Sequence, residues 1–318
     1  MTRVLITGVT GFIGSELARA LAADGFEVTG LVRTTSNKTA LDPIKDLLTQ
    51  MEIRYGNLTD YAAVRKIVKD IAPQYIIHVG AATAVRHSFE NPLEYQEVDY
   101  LATVNLAHAA LEVPGFKKFL FASTMEVYGW QEKHEPFTEE TTLHPASPYA
   151  AAKYAAEEYV RMAGKAFGLP YIVLRCCNTF GRKNNAGFVT EYLVTSMLKG
   201  ETTYLGTPDA VRDMMYVDDH VNAYVTALKS KVVNETFVFG TGNKLSMKEL
   251  ALKIKEMTGF KGELVFSFPP DYPWRPVVEP FLSLHAAKAQ RMLGWTPKYN
   301  VEEGLRKTVE WWKNVRQN

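Results

Sequence analysis

Val4-Leu5-Ile6-Thr7-Gly8-Val9-Thr10-Gly11-Phe12-Ile13-Gly14 is the stretch that decides the fold. A short apolar, β-branched run ends at the first of three evenly spaced glycines, and a helical pattern opens at the last of them. In that setting each glycine has a physical reason. Gly8 permits a tight turn, Gly11 lets the backbone approach a pyrophosphate, and Gly14 allows a helix to pack closely on a strand. The helix N-terminus then offers unpaired N–H groups and a partial positive charge to the phosphates. Thr10, Phe12 and Ile13 complete this cofactor-binding loop. A lone glycine trio can also be an ordinary turn; the strand before it and the helix after it argue for the phosphate-binding form.

Outward from this loop, apolar runs at residues 28–32, 75–79, 119–122 and 171–174, with another at 236–239, alternate with longer helical patterns. Such alternation predicts parallel strands joined by helical crossovers. Asn91-Pro92 begins a helical pattern running to about residue 111, and Ser147-Pro148 begins another to about residue 167. Both are rich in alanine, which suits a helix–helix interface between subunits or plain packing within one chain. The expected fold is α/β, a Rossmann-type doubly wound parallel sheet with a smaller C-terminal α/β substrate domain. We assign residues 1–177 to the dinucleotide-binding domain, with a returning segment near 212–240, and residues 178–211 and 241–318 to the substrate-binding domain.

The 318 residues are 47% hydrophobic and carry a formal charge of +1, enough to bury a large core and with no electrostatic lean toward nucleic acid or a membrane surface. No apolar run approaches the ~20 residues of a membrane span. The chain enters its first strand without room for a signal peptide, so a cytoplasmic location is expected. The two cysteines, Cys176 and Cys177, are adjacent, which disfavours a disulfide between them and leaves no metal-ligand spacing. No metal is expected.

After the second strand the acidic residue that would bind a ribose 2′-hydroxyl is missing. Arg33 stands there, followed by Thr34, Thr35, Ser36, Asn37 and Lys38. A guanidinium with hydroxyl neighbours suits a 2′-phosphate, which favours NADP over NAD as cofactor; a solvated loop is the plainer reading.

Two further motifs carry chemistry. Tyr149 and Lys153 lie four residues apart, on one face of a helix, where an ammonium favours ionisation of a phenol and can also hold a ribose hydroxyl. Upstream, Phe121-Ala122-Ser123-Thr124-Met125-Glu126-Val127-Tyr128-Gly129 is an apolar strand ending in hydroxyls and a carboxylate. The carboxyl ends of parallel strands are where open α/β sheets place ligands. Thr124 can therefore bond a reacting oxygen and Glu126 can act as a base, although a glutamate at a strand end is more often a solvated loop residue.

Taken in order, these motifs resemble those of extended short-chain dehydrogenases/reductases over essentially the whole chain. Within that family the chain is most similar to GDP-mannose 4,6-dehydratase and its relatives. The segments that carry this likeness are His78-Val79-Gly80-Ala81-Ala82-Thr83, Ser88-Phe89-Glu90-Asn91-Pro92 and Val98-Asp99, where many epimerases have Val-Asn. Gly187-Phe188-Val189-Thr190, Ala210-Val211-Arg212-Asp213, Arg275-Pro276 with Glu279, and Leu293-Gly294-Trp295-Thr296-Pro297 extend it.

The resemblance implies a nucleotide-diphosphate sugar as substrate and NADP or NAD as a recycled cofactor. It places Asn57, Leu58, Val79, Gly80 and Ala81 beside the cofactor, with Tyr149 and Lys153. Thr83, Ser88, Asn178, Phe188, Val189, Arg212 and Arg275 fall around the substrate. Thr124, Glu126, Tyr149 and Lys153 become the catalytic set: Tyr149 takes the C4 hydroxyl proton, and the resulting ketone acidifies C5. Glu126 removes the C5 proton as water leaves C6, and the hydride held by the cofactor returns. Met125 departs from the family pattern, which has Ser or Asp there; methionine relays no proton, so Glu126 must serve both steps. A 4-ketoreductase and a sugar 4-epimerase are the rival activities, and a dinucleotide-sensing scaffold is the rival without catalysis. A homo-oligomer, dimer or tetramer, is expected. Arg182 and Lys183 read as a solvated loop or as partners for cofactor phosphates, and His78 as structural.

Overall fold

Val4, Leu5 and Ile6 are wholly inaccessible to solvent, yet their side chains feed two different cores. Val4 and Ile6 pack with Leu17, Leu21, Leu120 and Ile172, while Leu5 packs with Val64, Val68, Phe119 and Val160. Alternate residues of a strand point to opposite faces, so a strand buried on both sides requires a sheet covered by helices on both sides. The computed structural model describes residues 1–36, 38–183, 185–272 and 279–315. Among these, β1 (Arg3–Thr7), β2 (Glu27–Val32), β3 (Glu52–Tyr55), β4 (Tyr75–His78), β5 (Lys118–Thr124), β6 (Tyr171–Cys176) and β7 (Glu235–Phe239) form one sheet. All neighbours are parallel, in the order β7-β6-β5-β4-β1-β2-β3. The strand order reverses at β1, whose Thr7 pairs with Leu31 of β2 on one side and His78 of β4 on the other. That reversal opens a crevice at the strands' carboxyl ends.

The expected doubly wound sheet is therefore present. β3 was not anticipated from sequence: Glu-Ile-Arg-Tyr is a half-exposed edge strand without an apolar run. The helix Pro148–Phe167 follows its sequence signals closely. The Ser147 hydroxyl caps it by accepting the Ala150 N–H at 3.1 Å, Pro148 takes the first helical position, and Gly168 closes it at φ 75°. Residues 92–111 are helical throughout but not uniform. Between Pro92–Tyr95 and Ala102–Leu111, the segment Gln96–Leu101 is a π-helix. Such wide turns cost backbone hydrogen-bond geometry and concentrate at functional positions.

After β6 the chain leaves the sheet and comes back. Helix Val217–Lys229 packs against helix Phe12–Ala23 through Val221, Tyr224 and Leu228, and leads into β7 beside β6. Helices Val189–Lys199, Met247–Thr258 and Val301–Val315 share a separate core of Leu193, Val194, Leu250, Ile254, Leu305 and Val309. Beside them, strand Val211–Arg212 lies between Leu245–Ser246 and Phe281–Leu282. Among the described residues no helix is long and apolar enough to cross a membrane, and no group of three or more acidic, His or Cys side chains is placed to hold a metal.

Candidate active site

At the reversal point the backbones of two loops touch. Gly8 has φ +69°, and a Cβ there would fall 2.6 Å from the Gly80 Cα; a Cβ on Gly14 would fall 2.1 Å from the Gly8 carbonyl oxygen. Neither position has room for a side chain. The Gly11 N–H donates to the Gly8 carbonyl at 2.9 Å, and helix Phe12–Ala23 starts at Gly11 with no side-chain cap. The result is a bare backbone cradle capped by free helical N–H groups, which fits the pyrophosphate of a dinucleotide. Arg33 and Asn57 lie exposed just beyond β2 and β3, with Val79, Gly80 and Ala81 just beyond β4. Leu58 is tied in by its carbonyl, which accepts the Asn105 amide at 2.9 Å.

A one-way hydrogen-bond chain runs behind this cradle. The Gly80 N–H donates to the Thr7 hydroxyl at 3.2 Å, and that hydroxyl lies 2.7 Å from His78 Nδ1. His78 Nε2 lies 3.1 Å from the Thr103 hydroxyl, which donates to the Asp99 carbonyl at 2.6 Å. Thr103 has given away its only hydrogen, so His78 must donate from Nε2 and accept at Nδ1. Burial, helped by the nearby Lys153 charge, pushes the imidazole down to about 3 and keeps it neutral. His78 thus joins the cofactor loop to the π-helical segment.

Tyr149 and Lys153 face the same interior from one side of their helix, and both are buried. Burial raises the Tyr149 phenol far above its ordinary value; Asp99 and Glu126 add to this, while a hydrogen bond with Thr124 opposes it. Tyr95 sets the ring's position, packing edge-on at 6.1 Å with its own hydroxyl donated to the Ala84 carbonyl at 2.7 Å. The Lys153 ammonium sits 4.3 Å over the Phe121 ring. Burial presses it down to about 8, held up there by Asp99 and Glu157. Burial thus holds the Tyr149 phenol in its protonated form.

Thr124 ends β5 and caps the turn Met125–Tyr128 by accepting the Glu126 N–H at 3.2 Å. Glu126 is buried and close enough to raise the Tyr149 phenol. Met125 belongs to the hydrophobic core with Val127, Tyr128 and Leu174. Position 125 is therefore a packing position here, which leaves Glu126 as the ionisable side chain of the motif. Beneath it, Ser123 donates to Glu157 at 2.9 Å and Arg175 Nε donates to the same carboxylate at 3.1 Å; Arg175 also reaches the Tyr128 hydroxyl at 3.0 Å. This buried network ties β5 and β6 to the Tyr149 helix. Sequence reading missed it because the partners are distant in sequence.

The candidate substrate residues come from separated segments. Asn178 follows β6, with its buried Oδ1 lacking a hydrogen-bond partner, as does the Thr190 hydroxyl in the first turn of helix Val189–Lys199. Buried acceptors and hydroxyls left open in this way suit a polar ligand. Phe188 precedes that helix, and Val189 is exposed. Arg212 is mostly buried and donates to the Val211 carbonyl at 2.9 Å. Thr83 is exposed, whereas Ser88 is fully buried with its hydroxyl donated to the Val85 carbonyl at 2.6 Å. Arg275 and Trp274 lie outside the described residues. Arg182 does not belong to a solvated loop: its guanidinium lies 3.4 Å from the Phe188 ring centre and 4.6 Å from that of Phe12, clamping the substrate side onto the cofactor helix. Lys183 pairs with Glu16 of the same helix at 3.0 Å.

The family model described as GDP-mannose 4,6 dehydratase matches residues 5–308. This chain belongs to the extended short-chain dehydrogenase/reductase family. It is 32% identical to a UDP-glucose 4-epimerase of Mycolicibacterium smegmatis over 99% of this chain and all of that one. It is 28% identical to dTDP-glucose 4,6-dehydratase 1 of Escherichia coli, covering 98% of this chain and 92% of that protein. Among solved structures, the UDP-glucose 4-epimerase of Thermotoga maritima with UDP-glucose superposes with a TM-score of 0.90 at 32% identity, over 99% of this chain and 100% of the other. The dTDP-glucose 4,6-dehydratase of Bacillus anthracis in complex with NAD gives 0.88 at 26%, over 100% and 98%. The chain is thus a nucleotide-sugar epimerase or dehydratase of this NAD-dependent family.

Proposed function

We infer that the protein is a nucleotide-sugar 4,6-dehydratase acting on GDP-mannose. The observation that carries this reading is Glu126: a buried carboxylate beside Tyr149, in addition to the Thr124, Tyr149 and Lys153 set that oxidation at C4 requires. Removing a C5 proton needs a base of its own, and 4-epimerisation does not. The match to the dehydratase family model supports the same reading and the choice of guanosine sugar.

The dinucleotide would lie on the Gly8–Gly80–Gly14 cradle with Lys153 at its ribose and, when bound, supplies the hydride acceptor for C4. Arg33, with no acid at the end of β2, favours NADP over NAD. Tyr149 takes the C4 hydroxyl proton at its Oη, with Thr124 holding that oxygen and Lys153 stabilising the charge. A ketone at C4 then makes the C5 proton acidic, and the Glu126 carboxylate takes it. The same carboxyl, now protonated, gives its proton to the departing C6 hydroxyl, a double duty that Met125 cannot share; C6 would then receive the hydride back while C5 takes up a solvent-derived proton, which leaves the cofactor unchanged. Asn178, Thr190 and Arg212 would hold the nucleotide and diphosphate, Arg275 adding a second guanidinium. Residues 178–211 and 241–318 would form the substrate half. We assign the enzyme to a homo-oligomer assembled through the exposed apolar side chains Leu101, Met162 and Phe167.

The relatives named as UDP-glucose 4-epimerases favour a second reading, in which Glu126 is idle and C4 alone is inverted. Mass spectrometry of a panel of GDP-, dTDP- and UDP-hexoses incubated with the protein and trace NADP or NAD separates the two. Loss of one water from GDP-mannose without net cofactor reduction is expected. Unchanged mass with an inverted C4 would establish the epimerase instead.

A further inference from the structure

The segment that follows β6 meets the cofactor helix through two successive residues. The Arg182 guanidinium lies over the Phe12 ring at 4.6 Å, and the Lys183 ammonium pairs with Glu16 at 3.0 Å. Phe12 and Glu16 are four residues apart on helix Phe12–Ala23, so both contacts fall on one face at its N-terminal end. Arg182 is tied equally firmly to the other side. Glu191, wholly buried in the first turn of helix Val189–Lys199, accepts the Gly181 N–H at 2.8 Å and the Arg182 N–H at 3.0 Å. The guanidinium sits 3.4 Å from the ring centre of Phe188, the residue before that helix, and its Nη1 donates to the Thr179 carbonyl at 3.0 Å. Segment 178–182 and the first turn of helix Val189–Lys199 are thereby one unit, and this unit carries Asn178 and Thr190.

Charge across this seam is poorly balanced. A helix N-terminus carries a partial positive charge, and here two cations dock beside it. Their compensation is divided: Glu16 is shared with Arg19 at 3.3 Å, and Glu191 lies 3.6 Å from Arg182 Nη1 with two backbone N–H groups already on its other oxygen. A pyrophosphate on the same helix end supplies the missing negative charge. We propose that Arg182 couples the dinucleotide site to the nucleotide-sugar site, so that each ligand tightens the binding of the other. A pyrophosphate on the glycine cradle draws Arg182 and Lys183 onto Phe12 and Glu16, and the unit carrying Asn178 and Thr190 is fixed with them. The stacked guanidinium is the one side chain that touches both Phe12 and Phe188, and a desolvated cation held on aromatic faces resists displacement. The inference rests on the reading that places the substrate's nucleotide against Asn178 and Thr190. Coupling is reciprocal, so a nucleotide on the substrate side must tighten the dinucleotide by the same factor.

The test is a fluorescence titration of the full-length protein, freed of cofactor, with NADH and NADPH. Each titration is run with and without saturating GDP, UDP or dTDP, and the ratio of the two dissociation constants is the coupling factor. The wild-type protein should give a factor of about ten with at least one of the three nucleotides. Arg182→Met keeps the length and apolar contact of the side chain and removes its charge, and should bring the factor to about one. Arg182→Lys, which restores the charge without the planar guanidinium, should recover part of it. A residue that only held the fold together would weaken both dissociation constants and leave their ratio alone. A factor of one in the wild type with all three nucleotides, or an unchanged factor in Arg182→Met, overturns the proposal. Should Arg182→Met fail to fold, Lys183→Met removes the second cation of the seam from a half-exposed position and should also lower the factor. The titration needs no turnover. Coupling in a protein that dehydrates nothing would sink the reaction assigned above and leave Arg182 its role; water loss from GDP-mannose with a factor of one would do the reverse.

Discussion

The cofactor and substrate halves of the candidate site are built by opposite means. On the cofactor side, backbone meets backbone: Gly8 against Gly80, and Gly14 against Gly8, with no space for one added carbon. On the proposed substrate side the candidate residues come from separated segments, and the buried Asn178 Oδ1 and Thr190 hydroxyl have no hydrogen-bond partner. The first half is a geometric requirement with one solution. The second is a set of side chains with room to vary, and on the function proposed above selectivity among sugars would belong there.

That difference ranks what substitutions should do. Gly14→Ala, which drives a Cβ into the Gly8 carbonyl, should cost at least ~2 kcal/mol of stability and abolish dinucleotide binding; a thermal melt and the cofactor content of the purified protein check this. If the variant binds cofactor normally, the rigid-wall account fails. Tyr149→Phe should lower kcat by roughly 10²–10⁴ with the melt unchanged, since only a proton carrier is removed. Glu126→Gln should slow water loss by a similar ~10²–10⁴ while reduced cofactor still appears in a single turnover, read by absorbance. Loss of both signals would mean that Glu126 serves the C4 step as well. Arg33→Ala should weaken NADP by about 10–100-fold and NAD far less, from the usual worth of a charged hydrogen bond; equal effects on both would remove the case for NADP.

The same division governed what could be read from sequence. The cradle was legible because its residues are contiguous and each glycine has a local reason. Helix Pro148–Phe167 was legible from Ser147, Pro148 and Gly168, which act on their immediate neighbours. β3 was not, because an edge strand needs no apolar run. Nor was the π-helical segment, whose Asp99 carboxylate accepts the Ala82 N–H from the segment after β4. Met125 looked like a break in the catalytic motif and is a core residue. Arg182 looked like a solvated loop residue and lies over the ring of nearby Phe188 and over that of Phe12 from a distant helix. For Met125 and Arg182 the missing information was a contact with residues far along the chain, which periodicity and spacing do not encode.

Incubating the protein with GDP-mannose and trace NADP in deuterium oxide, and reading the product by mass spectrometry and NMR, tests the central claim about Glu126 most directly. Our account predicts a product that has lost one water and carries solvent deuterium at C5, because the proton Glu126 takes from C5 leaves with the C6 water and the one that later returns to C5 comes from solvent. A product that keeps its water, has no deuterium at C5 and differs only in configuration at C4 would contradict it.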